Sequence, residues 1–229
     1  MKRSIQVLYA HPSPRRSEVN APLAAAAAAV DGVTVKDLYA EYPDFHIDVD
    51  REQADLLAHD VLVFLHPLYW YSTPAILKEW QDLVLEHGFA YGTGGTALHG
   101  KLFFDALTAG GPESAYCAGG YNHFPIGELL HPLEQTASLC GMKWLPPFAL
   151  FAARRAVEER RLEKHVRDWV RVLEALRDDR LDLRAVQAQA RLNARGMAQA
   201  NSLFACGQQA FEHVVYGQIA WCTGQDPLA

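Results

Sequence analysis

The sequence predicts an α/β chain built on one open sheet of five parallel strands, with helices on both faces. Two observations carry that expectation. Short apolar runs recur, above all the uninterrupted Val61 to Leu65, which reads as a strand buried on both faces. Helical patterns separate these runs, and strands joined through helices imply parallel pairing with right-handed crossovers.

Ile5 to Tyr9 is strand one, ending at His11-Pro12. Val19 to Val30 follows the potential caps Ser13 and Ser17, and its six alanines at 24–29 favour a tightly packed helix. Val33 to Leu38 is strand two, Glu52 to His59 a short helix, and Val61 to Leu65 strand three, which stops at Pro67 because proline cannot donate to a sheet ladder. After Pro74, Ile76, Leu77, Trp80, Leu83 and Val84 fall on one helical face. Leu102 to Leu107 is strand four, Ile126 to Cys140 a helix, and Trp144 to Phe151 contains strand five. Arg154 to Arg177 forms a charged helix with Leu162, Val166, Trp169, Val170, Leu173 and Leu176 inward. Five such strands fit the flavodoxin-like order 2-1-3-4-5, whose ligand crevice lies at the strand one/three switch point.

Residues 1–180 are expected to form that domain and 181–229 a C-terminal extension, helical or poorly ordered. Lysine is absent from the extension, and Arg184, Arg191 and Arg195 oppose Asp182, Glu212 and Asp226.

The composition is that of a globular protein, 50% hydrophobic and 21% charged over 229 residues. The formal charge of −6 argues against nucleic acid as a partner. Four cysteines without CxxC or CxxH spacing predict neither a disulfide framework nor a zinc site, and favour a reducing compartment. His46, His59 and His165 show no ligand spacing, so no metal is expected. No signal peptide or membrane-spanning run is recognised, which makes the expected location cytoplasmic and any membrane contact peripheral.

Three loops follow the carboxyl ends of strands one, three and four. The first holds His11, Arg15, Arg16, Ser17 and Asn20 before a helix. Helix-terminal amides with a hydroxyl and basic groups suit a phosphate, although Ser17 reads equally as a cap beside solvated arginines. The second runs from Pro67 to Tyr71, where the backbone and aromatic rings of Leu68, Tyr69 and Trp70 suit a flat conjugated ring, or simply anchor the following helix. The third holds Thr108, Gly110 and Gly111, with Tyr116 and His123 beyond. Paired glycines permit close backbone approach to a ligand, or make an ordinary turn, and His123 reads also as a surface histidine. Phe89 and Tyr91, in the glycine-flanked stretch 88–92, form one wall of a substrate pocket or a plain surface loop.

Longer patterns add a resemblance. Tyr-Ala-His-Pro at 9–12 with Ser17 and Asn20, Leu-Tyr-x-x-Tyr-Pro-Asp-Phe at 38–45 and His-Pro-Leu-x-Trp-Tyr-Ser at 66–72 are joined by His-Gly-x-Ala-Tyr-Gly at 87–92. Gly-Gly-Thr-Ala-Leu-His-Gly-Lys at 94–101 and Trp-Leu-Pro-Pro-Phe-Ala at 144–149 complete the set. Over roughly the first 180 residues the chain resembles the flavodoxin-like NAD(P)H:quinone oxidoreductases, nearest to the ancillary subunits of glutathione-gated potassium-efflux systems. The resemblance implies a homodimer binding FMN or FAD, reduced by NAD(P)H and oxidised by a quinone in a ping-pong cycle. It implies that His11, Ser17, Glu18, Val19 and Asn20 hold the phosphate side of the flavin. Pro67, Leu68, Tyr69 and Trp70, with Thr108, Ala109, Gly110 and Gly111, would hold the ring. Tyr116 and His123 would be catalytic, and Tyr91 would line the partner's substrate pocket. Tyr69 stands where the family often has Gln, Ala109 replaces a Thr, and the stretch from Tyr116 to His123 is about two residues longer than the nearest pattern. A second implied role is regulatory: a subunit of a potassium-efflux antiporter at the cytoplasmic membrane face, with flavin mainly structural.

Overall fold

A computed structural model describes residues 2–193. Strands β1 (Ile5–Tyr9), β2 (Val33–Asp37), β3 (Val61–Pro67), β4 (Leu102–Thr108), β5 (Lys143–Trp144) and β6 (Phe148–Leu150) form one parallel sheet in the order β2-β1-β3-β4-β5, with β6 also paired to β4. This is the expected flavodoxin-like order. Every residue of β1, β3 and β4 is buried, which explains their apolar runs.

Helices cover both faces. Leu8, Leu62, Phe64, Phe103 and Leu107 meet α2 (Leu38–Glu41), α3 (Val49–Ala58), α4 (Ala75–Val84), α5 (Ile126–Leu129) and α6 (His131–Leu139). Ile5, Val7, Val63, Phe104 and Phe148 meet α1 (Asn20–Ala28) and α7 (Leu162–Arg177) on the other face. Trp80 and Trp169 are fully buried, one on each side. Each fully buried large side chain contributes roughly 1.5–3 kcal/mol relative to exposure. Leu83, predicted to face inward on α4, is instead partly exposed.

Some boundaries differ from the expectation for identifiable reasons. Strand three continues through His66 to Pro67, which lies opposite Thr108 at the end of the ladder, where the missing N–H costs little. The fifth strand is split into β5 and β6 around Pro146-Pro147, since consecutive prolines cannot donate to the ladder. The helix expected over 126–140 breaks at Leu130, one residue before the Pro132-containing first turn of α6. The long helix expected from Arg154 begins only at Leu162: Ala153–Arg155 makes one 3-10 turn and 156–160 are turns, where the Arg161 guanidinium donates to the carbonyls of Phe151 and Ala152 and ties the chain back before α7 begins.

Beyond residue 180, α8 (Leu183–Gln187) is capped by Asp182, and Leu181, Val186 and Leu192 join the α1/α7 core. The extension therefore packs on the sheet domain as far as Asn193. Expectations for 194–229 lie outside the described residues.

Candidate functional site

The loops after β1, β3 and β4 meet at the carboxyl end of the sheet. In the first, His11 is buried and its Nδ1 accepts from the Ser13 amide at 3.1 Å. Its proton therefore sits on Nε2. Burial is the main cause holding its pKa below the ordinary 6.5, so the ring is neutral at neutral pH. The Ser17 Oγ accepts from the Tyr9 hydroxyl and from the Ala21 amide, each at 2.9 Å. It thus holds an amide of the first turn of α1 without being its N-cap, which is Val19, and its own hydroxyl proton stays available for a ligand. The amides of exposed Glu18 and buried Val19 have no acceptor among the described residues. Unpaired donors ahead of a helix are suited to an anion.

The second loop is a tight turn. The Tyr69 amide donates to the Ser72 carbonyl at 3.1 Å and the Ser72 amide to the Tyr69 carbonyl at 3.0 Å. Trp70 and Tyr71 between them both have positive φ, 50° and 64°, the left-handed pair of a type I′ turn, usually filled by Asn or Gly. Each non-glycine residue held there costs on the order of 1–2 kcal/mol, so other contacts must hold the turn. The Tyr71 hydroxyl donates to Asn122 Oδ1 at 3.0 Å. The Leu68 amide donates to the Thr108 carbonyl at 2.8 Å. At the loop's base, His66 Nδ1 lies 3.0 Å from the Pro67 carbonyl and Nε2 lies 3.2 Å from Asp105 Oδ1. The ring thus bridges a backbone carbonyl and a carboxylate of the adjacent strand, both buried. Burial raises the Asp105 pKa, opposed by its hydrogen bond to His66.

Little of this backbone is left to offer a ligand. Pro67 has no amide proton, and the amides of Leu68 and Tyr69 are spent inside the protein. Of the amides of residues 68–70, that of Trp70 alone has no acceptor among the described residues, and Trp70 is 67% exposed.

In the third loop, the Asn20 side-chain amide donates to the Thr108 Oγ1 at 3.0 Å, while Asn20 Oδ1 is buried without a partner among the described residues. Ala109 is held at both ends, its amide to Leu150 and its carbonyl by Ala153. A Cβ on Gly110 would meet nothing within 4 Å, so the position is open. A Cβ on Gly111 would lie 2.6 Å from the Tyr121 hydroxyl and 3.3 Å from Tyr116 Cε2. Tyr116 is buried and packs on Phe151 at 5.2 Å. Burial, reinforced by the Tyr121 and Tyr71 hydroxyls and opposed by the Gly111 backbone and Asn122, pushes its pKa up to about 12. It is a neutral hydrogen-bond donor at any physiological pH.

The structure brings together His11, Ser17, Asn20, Tyr69, Thr108, Gly111 and Tyr116, through direct contacts or one shared neighbour. It leaves His123 aside: the side chain is exposed, on a backbone with φ 64°, and makes no hydrogen bond, ion pair or ring contact among the described residues. Its neighbour Asn122 is buried and takes the place by Tyr71 and Tyr116. Phe89 and Tyr91 pack partly buried on the α4 side, where Tyr91 meets His87 edge-on at 5.6 Å. No hydrogen bond or ring contact joins them to Tyr116.

Asn122, Tyr121 and the His66–Asp105 pair are absent from the sequence-based set. Asp105 was legible: a carboxylate inside an otherwise apolar strand requires a partner, and His66 ends the adjacent strand. Arg154, at the start of the charged run, is a further member: its positive field acts on Tyr69 against the upward push of burial.

Unpaired amides and a hydroxyl before α1, an orphaned carboxamide oxygen, an open glycine and a neutral tyrosine form a set suited to a phosphorylated ligand with polyol and conjugated parts. The donor chemistry fits a flavin. Among the described residues no group of three or more His, Cys, Asp or Glu could hold a metal, and no helix is long and apolar enough to cross a membrane.

A family model described as Flavodoxin-like fold (Flavodoxin_2) matches residues 3–173. The glutathione-regulated potassium-efflux system ancillary protein KefG of Serratia proteamaculans is 51% identical over 170 residues, 73% of this chain and 92% of its own. The general stress protein 14 of Treponema denticola, solved in complex with FMN, is 37% identical with a TM-score of 0.71, over 76% of this chain and 99% of that one. An NADPH-quinone reductase from P. pentosaceus is 30% identical with a TM-score of 0.67, over 74% and 97%.

Proposed function

The chain belongs to the flavodoxin-like fold family, and from that premise we propose that it is a flavin-dependent NAD(P)H:quinone oxidoreductase, acting as a cytoplasmic homodimer. The observation that carries this reading is the Asn20–Thr108 bridge beside the open Gly110 position. It draws a phosphate-suited helix start and a glycine loop into one crevice at the switch point of the sheet. The FMN-binding and quinone-reductase likenesses support it.

When bound, a flavin, FMN or FAD, supplies two-electron exchange between a nicotinamide and a quinone. In this reading the chain's own groups bind and orient. The Ser17 hydroxyl and the Glu18 and Val19 amides hold phosphate, with His11 Nε2–H as a further donor. Asn20 Oδ1 accepts from a polyol hydroxyl. The Trp70 amide donates to the ring edge. Gly110 and Gly111 let the backbone approach the ring, and the Tyr116 hydroxyl, kept protonated by burial, donates where negative charge develops. Asn122 orients Tyr116 and Tyr71. His123, as it stands in one chain, has no such role, and Phe89 and Tyr91 contribute only across a dimer.

The test is a visible spectrum of the purified protein, followed by NADH or NADPH and then a quinone. Flavin absorbance that bleaches with reductant and returns with quinone is expected; a flavin-loaded protein that oxidises no NAD(P)H with any quinone overturns the enzyme reading.

The likeness to KefG favours a second, compatible reading: an ancillary subunit that docks peripherally on a potassium-efflux antiporter. Potassium efflux measured in membranes with and without the protein tests it, and unchanged efflux sinks it.

A further inference from the structure

The family match ends at residue 173, yet the chain continues into a segment that reaches the back of the candidate site. Asn193 pairs its side-chain amide with both polar groups of Ala149. Nδ2 donates to the Ala149 carbonyl at 2.8 Å, and the Ala149 amide donates to Oδ1 at 3.1 Å. A carboxamide thus closes a stretch of the β6 edge as a neighbouring strand would. The Leu192 amide donates to the Pro147 carbonyl at 2.9 Å and its side chain is buried. Arg191 then does two things. Its guanidinium pairs with Glu113, at the start of the single 3-10 turn Glu113–Ala115 that leads into Tyr116. It also lies over the Phe151 ring, 5.1 Å from the centroid, and that ring packs on Tyr116 at 5.2 Å.

We propose that residues 191–193 are a clasp that sets the position of the Gly110–Tyr116 loop, with Arg191 as a positioning residue for Tyr116. The connection is continuous in both directions. Asn193 holds β6, and the residues just after β6 hold the loop, with the Ala152 amide on the Gly111 carbonyl and the Ala153 amide on the Ala109 carbonyl. Arg191 holds the far end of the loop through Glu113. Arginine suits the position because its flat cation can stack on Phe151 while its fork engages a carboxylate. Lysine would keep the charge and lose the stack.

The experiment measures amide hydrogen exchange and FMN affinity on the full chain for wild type, Arg191→Ala, Arg191→Lys and Asn193→Ala. In Arg191→Ala and Asn193→Ala the Ala115 and Tyr116 amides are expected to exchange about ten-fold faster, a change of roughly 1.4 kcal/mol in local opening, while β3 amides keep their protection. FMN Kd rises by about the same factor, and Arg191→Lys falls between. Unchanged exchange at 115–116, or an equal acceleration in β3, overturns the clasp. Faster exchange with unchanged FMN Kd overturns its role at the site. The affinity arm rests on the flavin reading and the exchange arm does not. Wild type that binds no FMN therefore sinks that reading while exchange still decides the clasp.

Discussion

The side-chain amide of Asn20 donates to the hydroxyl of Thr108 across 88 residues of sequence, tying the first turn of α1 to the end of β4 over the tip of β3. The carboxamide is buried and its oxygen has no partner among the described residues, an arrangement that costs stability unless a ligand completes it.

Asn20→Ala and Thr108→Val should each weaken FMN binding by about ten-fold, the worth of one such hydrogen bond. Because the two residues share that bond, the double variant should fall short of the product. Fluorescence titration with FMN reads this directly, and fully additive losses would mean that the bridge does not act as a unit.

The two adjacent glycines should part company. Gly110→Ala places a methyl in open space, so thermal stability stays unchanged while flavin affinity drops. Gly111→Ala drives a methyl into the Tyr121 hydroxyl and should cost about 1–3 kcal/mol. Tyr121→Phe removes a buried hydroxyl that has no partner among the described residues and should restore much of that loss. Urea unfolding of the four single and double variants is the measurement.

Asp105→Ala leaves His66 buried without its carboxyl partner, and breaking a buried pair this way costs roughly 3–5 kcal/mol. The double variant His66→Phe/Asp105→Leu should be far less damaged. Equal destabilisation of both would show that packing, rather than the pair, accounts for the loss.

His165, buried against Phe148, gives a pH signature. Burial, with Lys164, Arg161 and Arg191 adding and Asp168 opposing, lowers its pKa to about 4. The unfolded chain takes up the proton near 6.5 and the folded one only near 4. Folding stability is therefore unaffected above about pH 7, falls as pH drops from 6.5 to 4, and is flat below. The full loss is about 3 kcal/mol. Replacing His165 by Leu should flatten that part of the stability–pH curve.

The strands were readable because burial on both faces leaves an apolar run no helix period explains, as in Val61 to Leu65. Less readable were events decided by single long-range contacts. The pattern of 154–161 is helical, but Arg161 reaching the carbonyls of Phe151 and Ala152 overrides it. Helix α2 was missed because its four residues are too few to show a period; Asp37 starts it by accepting from the Tyr39 and Ala40 amides.

The amino-acid sequence alone was enough to place the strands along the chain and to mark the three loops that follow them, since periodicity and proline or glycine punctuation are local properties. Tertiary structure decided which groups in those loops remain free. The amides of Leu68 and Tyr69 are consumed and that of Trp70 is left; Asn122 turns inward beside Tyr116 while His123 faces solvent. A hydrogen-bonding group is available only if no distant partner has claimed it, and in this chain the partners, Thr108 for Leu68 and Asn20, Asn122 for Tyr71, come from other elements of the fold.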